Sequence, residues 1–252
     1  MINFILGSYI QKMDNVSLQP IQIDLHRSHV TESSEFKLET VFEASSGRTT
    51  ASFKVGIYPN EEEVLESLQE IRLYQRPPIP TPSGTMGKQN RNIGFFSDAS
   101  EGYRYSGQFM PSQPMTKKMQ SLLDSVNKAL QADYNGILVN EYLNGKEDYI
   151  SSHADEKQYL GNIGVFMIVV GAKENSTRTF RIRAQKPVMV KFSDGQVKKF
   201  TKNKEIVADY ELGHLNMALM DGDFQSMFLH EVPLRKTVSG GRISLTFRKH
   251  LK

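Results

Sequence analysis

Polar and hydrophobic positions alternate one by one along most of this chain, and only two stretches keep a helical spacing. Ile21-Gln22-Ile23-Asp24-Leu25 and Phe36-Lys37-Leu38-Glu39-Thr40-Val41-Phe42 alternate, which predicts half-buried strands. Ser45-Ser46-Gly47 then reads as a turn, with another strand from Ala51 to Tyr58. Val64, Leu65, Leu68, Ile71 and Leu73 form the apolar face of a helix that begins after Asn60. Asn60 with Glu63 makes a variant capping box, and Glu61, Glu62 and Glu63 suit the positive end of the helix dipole. Pro77, Pro78, Pro80 and Pro82, with Gly84 and Gly87, stop regular structure and predict a long loop. The second helix is expected over Met115 to Leu130, where Met119, Leu122, Leu123, Val126 and Leu130 recur at helical spacing. Beyond it the chain reads as short strands at Ile137–Tyr142, Ile163–Val170, Thr179–Arg183, Val188–Phe192, Val197–Phe200, Leu215–Met220, Met227–Val232 and Arg242–Phe247. Asn144-Gly145 and Asp194-Gly195 supply turns, the latter inside a hairpin. Helices followed by about eight strands predict an α+β fold, a jelly roll with helices packed on one side. Residues 1–58 form a β-rich N-terminal extension, and 59–252 form the main domain.

Composition narrows the chemistry. The 252 residues are enough for one β domain with a sizeable core, and 38% hydrophobic with 23% charged residues is an ordinary globular balance. Cysteine is absent, which excludes disulfides, thiolate nucleophiles, cysteine-ligated zinc and iron–sulfur clusters. Any metal must sit on histidine and carboxylate. No apolar run approaches the ~18 residues of a membrane span, and Met1-Ile2-Asn3-Phe4-Ile5-Leu6 lacks the basic flank of a signal peptide. An intracellular protein of the cytoplasm or nucleus, away from membranes, is expected. A net charge of +3 permits a polyanionic partner without requiring one. Lys191, Lys198, Lys199, Lys202 and Lys204 make a basic hairpin, readable as a lysine-protected sheet edge or as a phosphate-contacting surface.

Three groups of residues could carry chemistry. In His153-Ala154-Asp155 the two outer side chains point the same way if the segment is extended, so both can reach one metal. A third ligand must come from another strand. His230, in Phe228-Leu229-His230-Glu231-Val232, is the best candidate, and His214 is its rival. Two histidines and a carboxylate on one face, with the other positions open, suit a non-haem Fe(II) oxygenase. In Arg242-Ile243-Ser244-Leu245-Thr246-Phe247-Arg248 the polar residues share one face. That face is either solvated or lines a barrel, where two arginines need an anion such as a dicarboxylate. Asn140 and Tyr142 share a strand face and bring an amide and a phenol. His26 and His29 read as surface histidines rather than a metal pair.

The ordered set Asn-x-Tyr, His-x-Asp, a distant His and Arg-x5-Arg resembles the AlkB family of Fe(II)/2-oxoglutarate dioxygenases, most of all its eukaryotic DNA-repair branch. The likeness runs from about Lys88 to Leu251, and Ser244-Leu245-Thr246-Phe247-Arg248-Lys249 is its most specific piece. The resemblance implies the double-stranded β-helix form of the jelly roll. It implies that His153, Asp155 and His230 hold Fe(II), that Arg242 pairs with the far carboxylate of 2-oxoglutarate with help from Asn140 and Tyr142, and that Arg248 lies near the carboxylate that chelates iron. Ser244 stands where many members have Asn and counts as a co-substrate contact. Residues from about 75 to 110 would form the nucleotide-recognition lid. There Tyr103 and Tyr105 would stack on or border a flipped base, with Arg91 near the substrate. Glu156 would take the place of an acid that members often carry one residue later, where this chain has Lys157.

The activity so implied is oxidative demethylation of N-methylated adenine or cytosine in DNA or RNA by O₂, with release of formaldehyde. Single-stranded or unpaired substrate is expected, because the loop from Pro77 to Gln89 has no aromatic wedge and offers only Ile79 and Met86. A monomer is expected. The alternatives are a 2-oxoglutarate hydroxylase of proteins or small molecules and, from another class, a non-catalytic jelly-roll nucleic-acid-binding protein.

Overall fold

The computed structural model describes residues 16–25, 35–80, 85–105, 108–155, 164–172 and 174–250. His26, His29, Glu156 and Lys157 lie outside the described residues, and Tyr105 is described for its backbone alone. In chain order the elements begin with β1 (Leu18–Pro20), β2 (Glu39–Ser46), β3 (Thr49–Ile57), α1 (Glu61–Ser67), β4 (Arg72–Tyr74), β5 (Pro78–Pro80) and β6 (Met86–Lys88). They continue with β7 (Asn92–Phe96), β8 (Gly102–Tyr105), β9 (Gln108–Pro111), α2 (Lys117–Leu130), β10 (Gly136–Tyr142), β11 (Ile150–His153), β12 (Val165–Gly171) and β13 (Arg178–Ala184). The last are β14 (Val188–Phe192), β15 (Val197–Phe200), β16 (Ile206–Leu212), β17 (Asn216–Gly222), α3 (Phe224–Met227), β18 (Phe228–Val232) and β19 (Arg242–Arg248). The fold is therefore mostly β, with short helices.

Eleven strands form one antiparallel sheet in the order β1-β4-β7-β10-β19-β12-β17-β3-β2-β14-β15, and four form a second in the order β11-β18-β13-β16. Strands β2 and β3, from the N-terminal extension, lie within the large sheet between β17 and β14. The central strands of the large sheet, β7, β10, β19 and β12, are buried on both faces. On one, Phe42, Phe53, Met167 and Met220 meet Phe180, Ile182, Val207 and Val232 of the small sheet. Phe53 and Phe180 stack at 5.7 Å across this layer. On the other, Ile137, Val139, Ile168, Leu245 and Phe247 pack under Leu65 of α1 and Met119, Leu122 and Val126 of α2. Double burial explains why β12 is the uninterrupted apolar run Val-Phe-Met-Ile-Val-Val: its odd residues face the small sheet and its even ones the helices. Each such side chain contributes about 1.5–3 kcal/mol by leaving water.

The first two helices start where their caps dictate. Asn60 Oδ1 accepts from the Glu63 N–H at 3.1 Å, and Thr116 Oγ1 accepts from the Met119 N–H at 3.1 Å. The first helix is shorter than its apolar spacing predicts. It ends at Ser67, and Leu73 belongs instead to β4, whose pairing with β1 and β7 outweighs the helical pattern. Ile21–Leu25 is not a full strand either. It runs along the helix-side core through Ile21, Ile23 and Leu25 and makes a single bridge, Leu25 to Ala172. The proline-rich segment holds the hairpin β5–β6, and a second hairpin, β8–β9, caps a small core of Ile93, Phe95, Tyr103, Met110 and Leu138. Among the described residues no helix is long and apolar enough to cross a membrane.

Candidate active site

Two neighbouring strands of the large sheet and two of the small one deliver the polar groups. In β10, Leu138, Asn140 and Tyr142 face the space between the sheets, while Ile137 and Val139 face the helices. In β19, Ile243, Leu245 and Phe247 pack toward the helices, which turns Arg242, Ser244, Thr246 and Arg248 inward. Register sets Asn140 opposite Ser244 and Tyr142 opposite Arg242. In the small sheet, β11 and β18 pair so that His153 stands directly opposite His230, with ring centres 4.3 Å apart. Asp155 follows two residues on. Candidate ligand atoms of His153, Asp155 and His230 all lie within 4.8 Å of one another. His214, the rival third ligand, lies elsewhere: its Nε2 meets Glu61 Oε1 at 2.8 Å at the start of α1.

All of these groups line one cavity of about 490 Å³, which takes in Arg91, Tyr103, Asn140, Tyr142, His153, Asp155, His230, Arg242, Ser244 and Arg248. Its other walls include Met167, Phe180 and Met220, which give an apolar lining between the metal-ligating candidates and the core. Sequence reading placed these three in core strands without singling them out, since their alternation matches that of any buried strand.

The electrostatics of the cavity are those of a site built for a cation and an anion together. His153 Nδ1 lies 2.8 Å from the Ser151 carbonyl oxygen. A carbonyl can only accept, so Nδ1 carries the proton and Nε2 keeps its lone pair. Burial depresses the proton affinity of both imidazoles, that of His230 down to about 3, so both are neutral at pH 7. For Asp155, burial alone would raise the pKa, but the Arg248 guanidinium and the two imidazoles outweigh it and hold the carboxyl below its ordinary range. Arg248 and Asp155 form an ion pair at 3.0 Å without hydrogen-bond alignment, so both Asp155 oxygens are buried with no hydrogen-bond partner. Two neutral imidazoles and an ionised, unsatisfied carboxylate fit a divalent metal. Arg242 is wholly buried, and Nε, Nη1 and Nη2 all lack hydrogen-bond partners. Such a group is costly unless an anion satisfies it. A carboxylate fits.

The remaining expected site residues are placed as follows. Arg91 Nε donates to Asn140 Oδ1 at 2.7 Å, which leaves the Asn140 amide nitrogen to donate into the cavity. Tyr103 is buried. Its ring lies under the Arg248 guanidinium at 4.9 Å and beside Phe95 and His250, and its hydroxyl accepts from Arg248. The basic hairpin β14–β15 forms the edge of the large sheet, with Lys198 over the Phe192 ring.

Residues 60–248 match the family model described as the 2OG-Fe(II) oxygenase superfamily. The chain belongs to this superfamily. Its metal and co-substrate are therefore Fe(II) and 2-oxoglutarate, in keeping with the His-Asp-His cluster. The chain is 26% identical over 161 residues to the DNA oxidative demethylase ALKBH2 of Mus musculus, covering 64% of this chain and 62% of that protein. Over 151 residues it is 30% identical to the DNA oxidative demethylase ALKBH2 of Arabidopsis thaliana, covering 58% and 47%. The human protein of the same name is 24% identical over 161 residues. The matched region spans about half to three fifths of the length of these relatives. This 2OG-Fe(II) oxygenase is thus a distant homologue of the AlkB-type demethylases.

Proposed function

We propose that this oxygenase removes methyl groups oxidatively from N-methylated adenine or cytosine in DNA or RNA. The observation that carries the reading is the pairing, in one cavity, of the His153–Asp155–His230 cluster with the buried Arg242, whose guanidinium nitrogens have no hydrogen-bond partner among the described residues. In this reading the two sheets form the double-stranded β-helix, His153, Asp155 and His230 hold Fe(II), and Arg242 and Tyr142 receive the far carboxylate of 2-oxoglutarate. When bound, Fe(II) and 2-oxoglutarate supply the oxidation of a C–H bond by O₂, with succinate and carbon dioxide as co-products.

The chain's own residues bind, orient and exclude. Asn140 and Ser244 donate hydrogen bonds to the co-substrate, Asn140 being held in place by Arg91. Arg248 keeps Asp155 ionised and oriented while Tyr103 braces it. Met167, Phe180 and Met220 keep water from the reacting carbon. Arg91, with Lys88 and Arg104 at the same cavity, holds the substrate nucleotide and its phosphates, and Tyr103 borders the base. Hydroxylation of the N-methyl carbon yields a hemiaminal, which releases formaldehyde and restores the base. That the relatives are DNA oxidative demethylases supports a nucleic-acid substrate. The test is formaldehyde release with Fe(II) and 2-oxoglutarate on a panel of methylated single- and double-stranded oligonucleotides. Co-substrate turnover without formaldehyde from any of them would point instead to a hydroxylase of proteins or small molecules.

A further inference from the structure

Arg178 opens β13 on the small sheet and is wholly buried, yet no role described so far involves it. Its side chain reaches across the interior toward the large sheet. The guanidinium carbon lies 6.0 Å from the centre of the Tyr142 ring, and that of Arg242 lies 5.6 Å from the same centre. One phenol ring thus touches two buried cations. The terminal nitrogens of Arg178 donate to three backbone carbonyls: Nη1 to Asn144 at 3.1 Å, and Nη2 to Asp148 at 2.9 Å and Pro233 at 2.8 Å. Asn144 and Asp148 lie in the connection from β10 to β11, and Pro233 follows β18. Arg178 therefore ties together one end of each of the three strands that carry Tyr142, His153 and His230. Asp148 is itself fixed, since its buried carboxylate accepts from Arg76 Nη2 and from the Leu143 N–H.

A brace of this kind could be built from an uncharged amide. A second guanidinium beside Arg242 instead raises the cost of the ligand-free site, because two like charges share a dry interior. The cost is recovered only when an anion arrives. We propose that Arg178 is a positioning residue for the far carboxylate of 2-oxoglutarate. It holds the Tyr142 ring and the strand ends, and it adds a second positive charge behind the Arg242 contact. The consequence is selectivity for a 2-oxo acid that carries a second carboxylate. This rests on the reading that Arg242 receives that carboxylate.

The experiment is calorimetric titration of 2-oxoglutarate, and separately of oxalate, into the Mn(II)-loaded full chain. Mn(II) stands in for Fe(II) without turnover. Oxalate can chelate the metal but has no far carboxylate to offer Arg242. Wild type is compared with Arg178→Met, Arg178→Lys and Arg242→Met. Arg178→Met is expected to weaken 2-oxoglutarate roughly tenfold or more, the effect of one charge acting over several ångströms of protein interior. Oxalate should stay within about twofold, and Arg178→Lys should recover part of the loss. Unchanged 2-oxoglutarate affinity in Arg178→Met overturns the proposal, and so does an equal loss for both ligands, which would make Arg178 a structural brace alone. If Arg178→Met does not fold, Arg178→Gln against Arg178→Lys carries the same comparison: the preference for 2-oxoglutarate over oxalate must fall in the first and hold in the second. If Arg242→Met leaves 2-oxoglutarate binding intact, the underlying assignment of Arg242 fails, whatever Arg178 does.

Discussion

Replacing Arg242 with Met separates the two things a buried guanidinium can do. Arg242 is fully buried, and its nitrogens have no hydrogen-bond partner. Burial pulls its pKa down to about 10, Tyr142 resists the fall, and Arg178 adds to it. At about 1.4 kcal/mol for each tenfold in proton affinity, the charge burdens the ligand-free fold by about 3 kcal/mol. Methionine is apolar and of similar reach. The ligand-free variant should therefore melt at the same temperature as wild type or higher. Binding should move the other way. Losing one partner of a buried charge pair costs about 2–5 kcal/mol, or roughly thirty-fold to several-thousand-fold in 2-oxoglutarate affinity. The assay is a set of melting curves of both Mn(II)-loaded proteins with and without 2-oxoglutarate. Ligand raises the wild-type midpoint by mass action, and the variant's midpoint should not respond at the same concentration. A variant that is strongly destabilised without ligand, yet still responds to 2-oxoglutarate, would refute the reasoning and make Arg242 a structural residue.

Other perturbations follow from the same geometry. Asp155→Ala should abolish metal binding and turnover, and it should also lower the melting temperature. It strips Arg248 of a buried partner at 3.0 Å, a loss of about 3–5 kcal/mol, and metal content with a thermal melt checks both. His250 is held down to about 4, chiefly by burial and then by Arg248, whereas the unfolded chain protonates near about 6.5. The unfolded state then takes the proton first, so this contribution is full above about pH 6.5 and is lost as pH falls toward 4. His250→Gln should flatten that acid limb in urea melts, and an unchanged limb would count against it. On one methylated oligonucleotide at one salt concentration, kcat/KM should be higher for the single strand than for the annealed duplex. Among its described residues the hairpin β5–β6 offers only Ile79 and the exposed Met86 as apolar wedges, and equal or better activity on the duplex would contradict this.

The last strand was the most legible part of the site. Its strict alternation put Arg242 and Arg248 on one face, and burial of Ile243, Leu245 and Phe247 against the helices turned that face inward. His153 and Asp155 were legible for the same reason, a spacing of two in extended chain. Arg178 was not legible. It reads as a strand-edge cation, and its burial follows from carbonyls in two distant connections that converge only in the fold. Strands β5 to β9 were hidden by proline and glycine, and each is short enough that pairing rather than pattern makes it a strand. The helical spacing that ran on to Leu73 shows the limit of periodicity: one apolar residue fits a helix face and a sheet core equally well, and β1 and β7 decide between them.

The most direct test of the account is mass spectrometry of a methylated oligonucleotide after incubation with the protein, O₂, Fe(II) and 2-oxoglutarate, with succinate measured in the same reaction. The account predicts loss of the methyl group from N-methylated adenine or cytosine in step with succinate, dependent on both Fe(II) and 2-oxoglutarate, and absent when His153 or His230 is replaced by Ala. Succinate formed while every methylated DNA and RNA strand keeps its methyl group would contradict it.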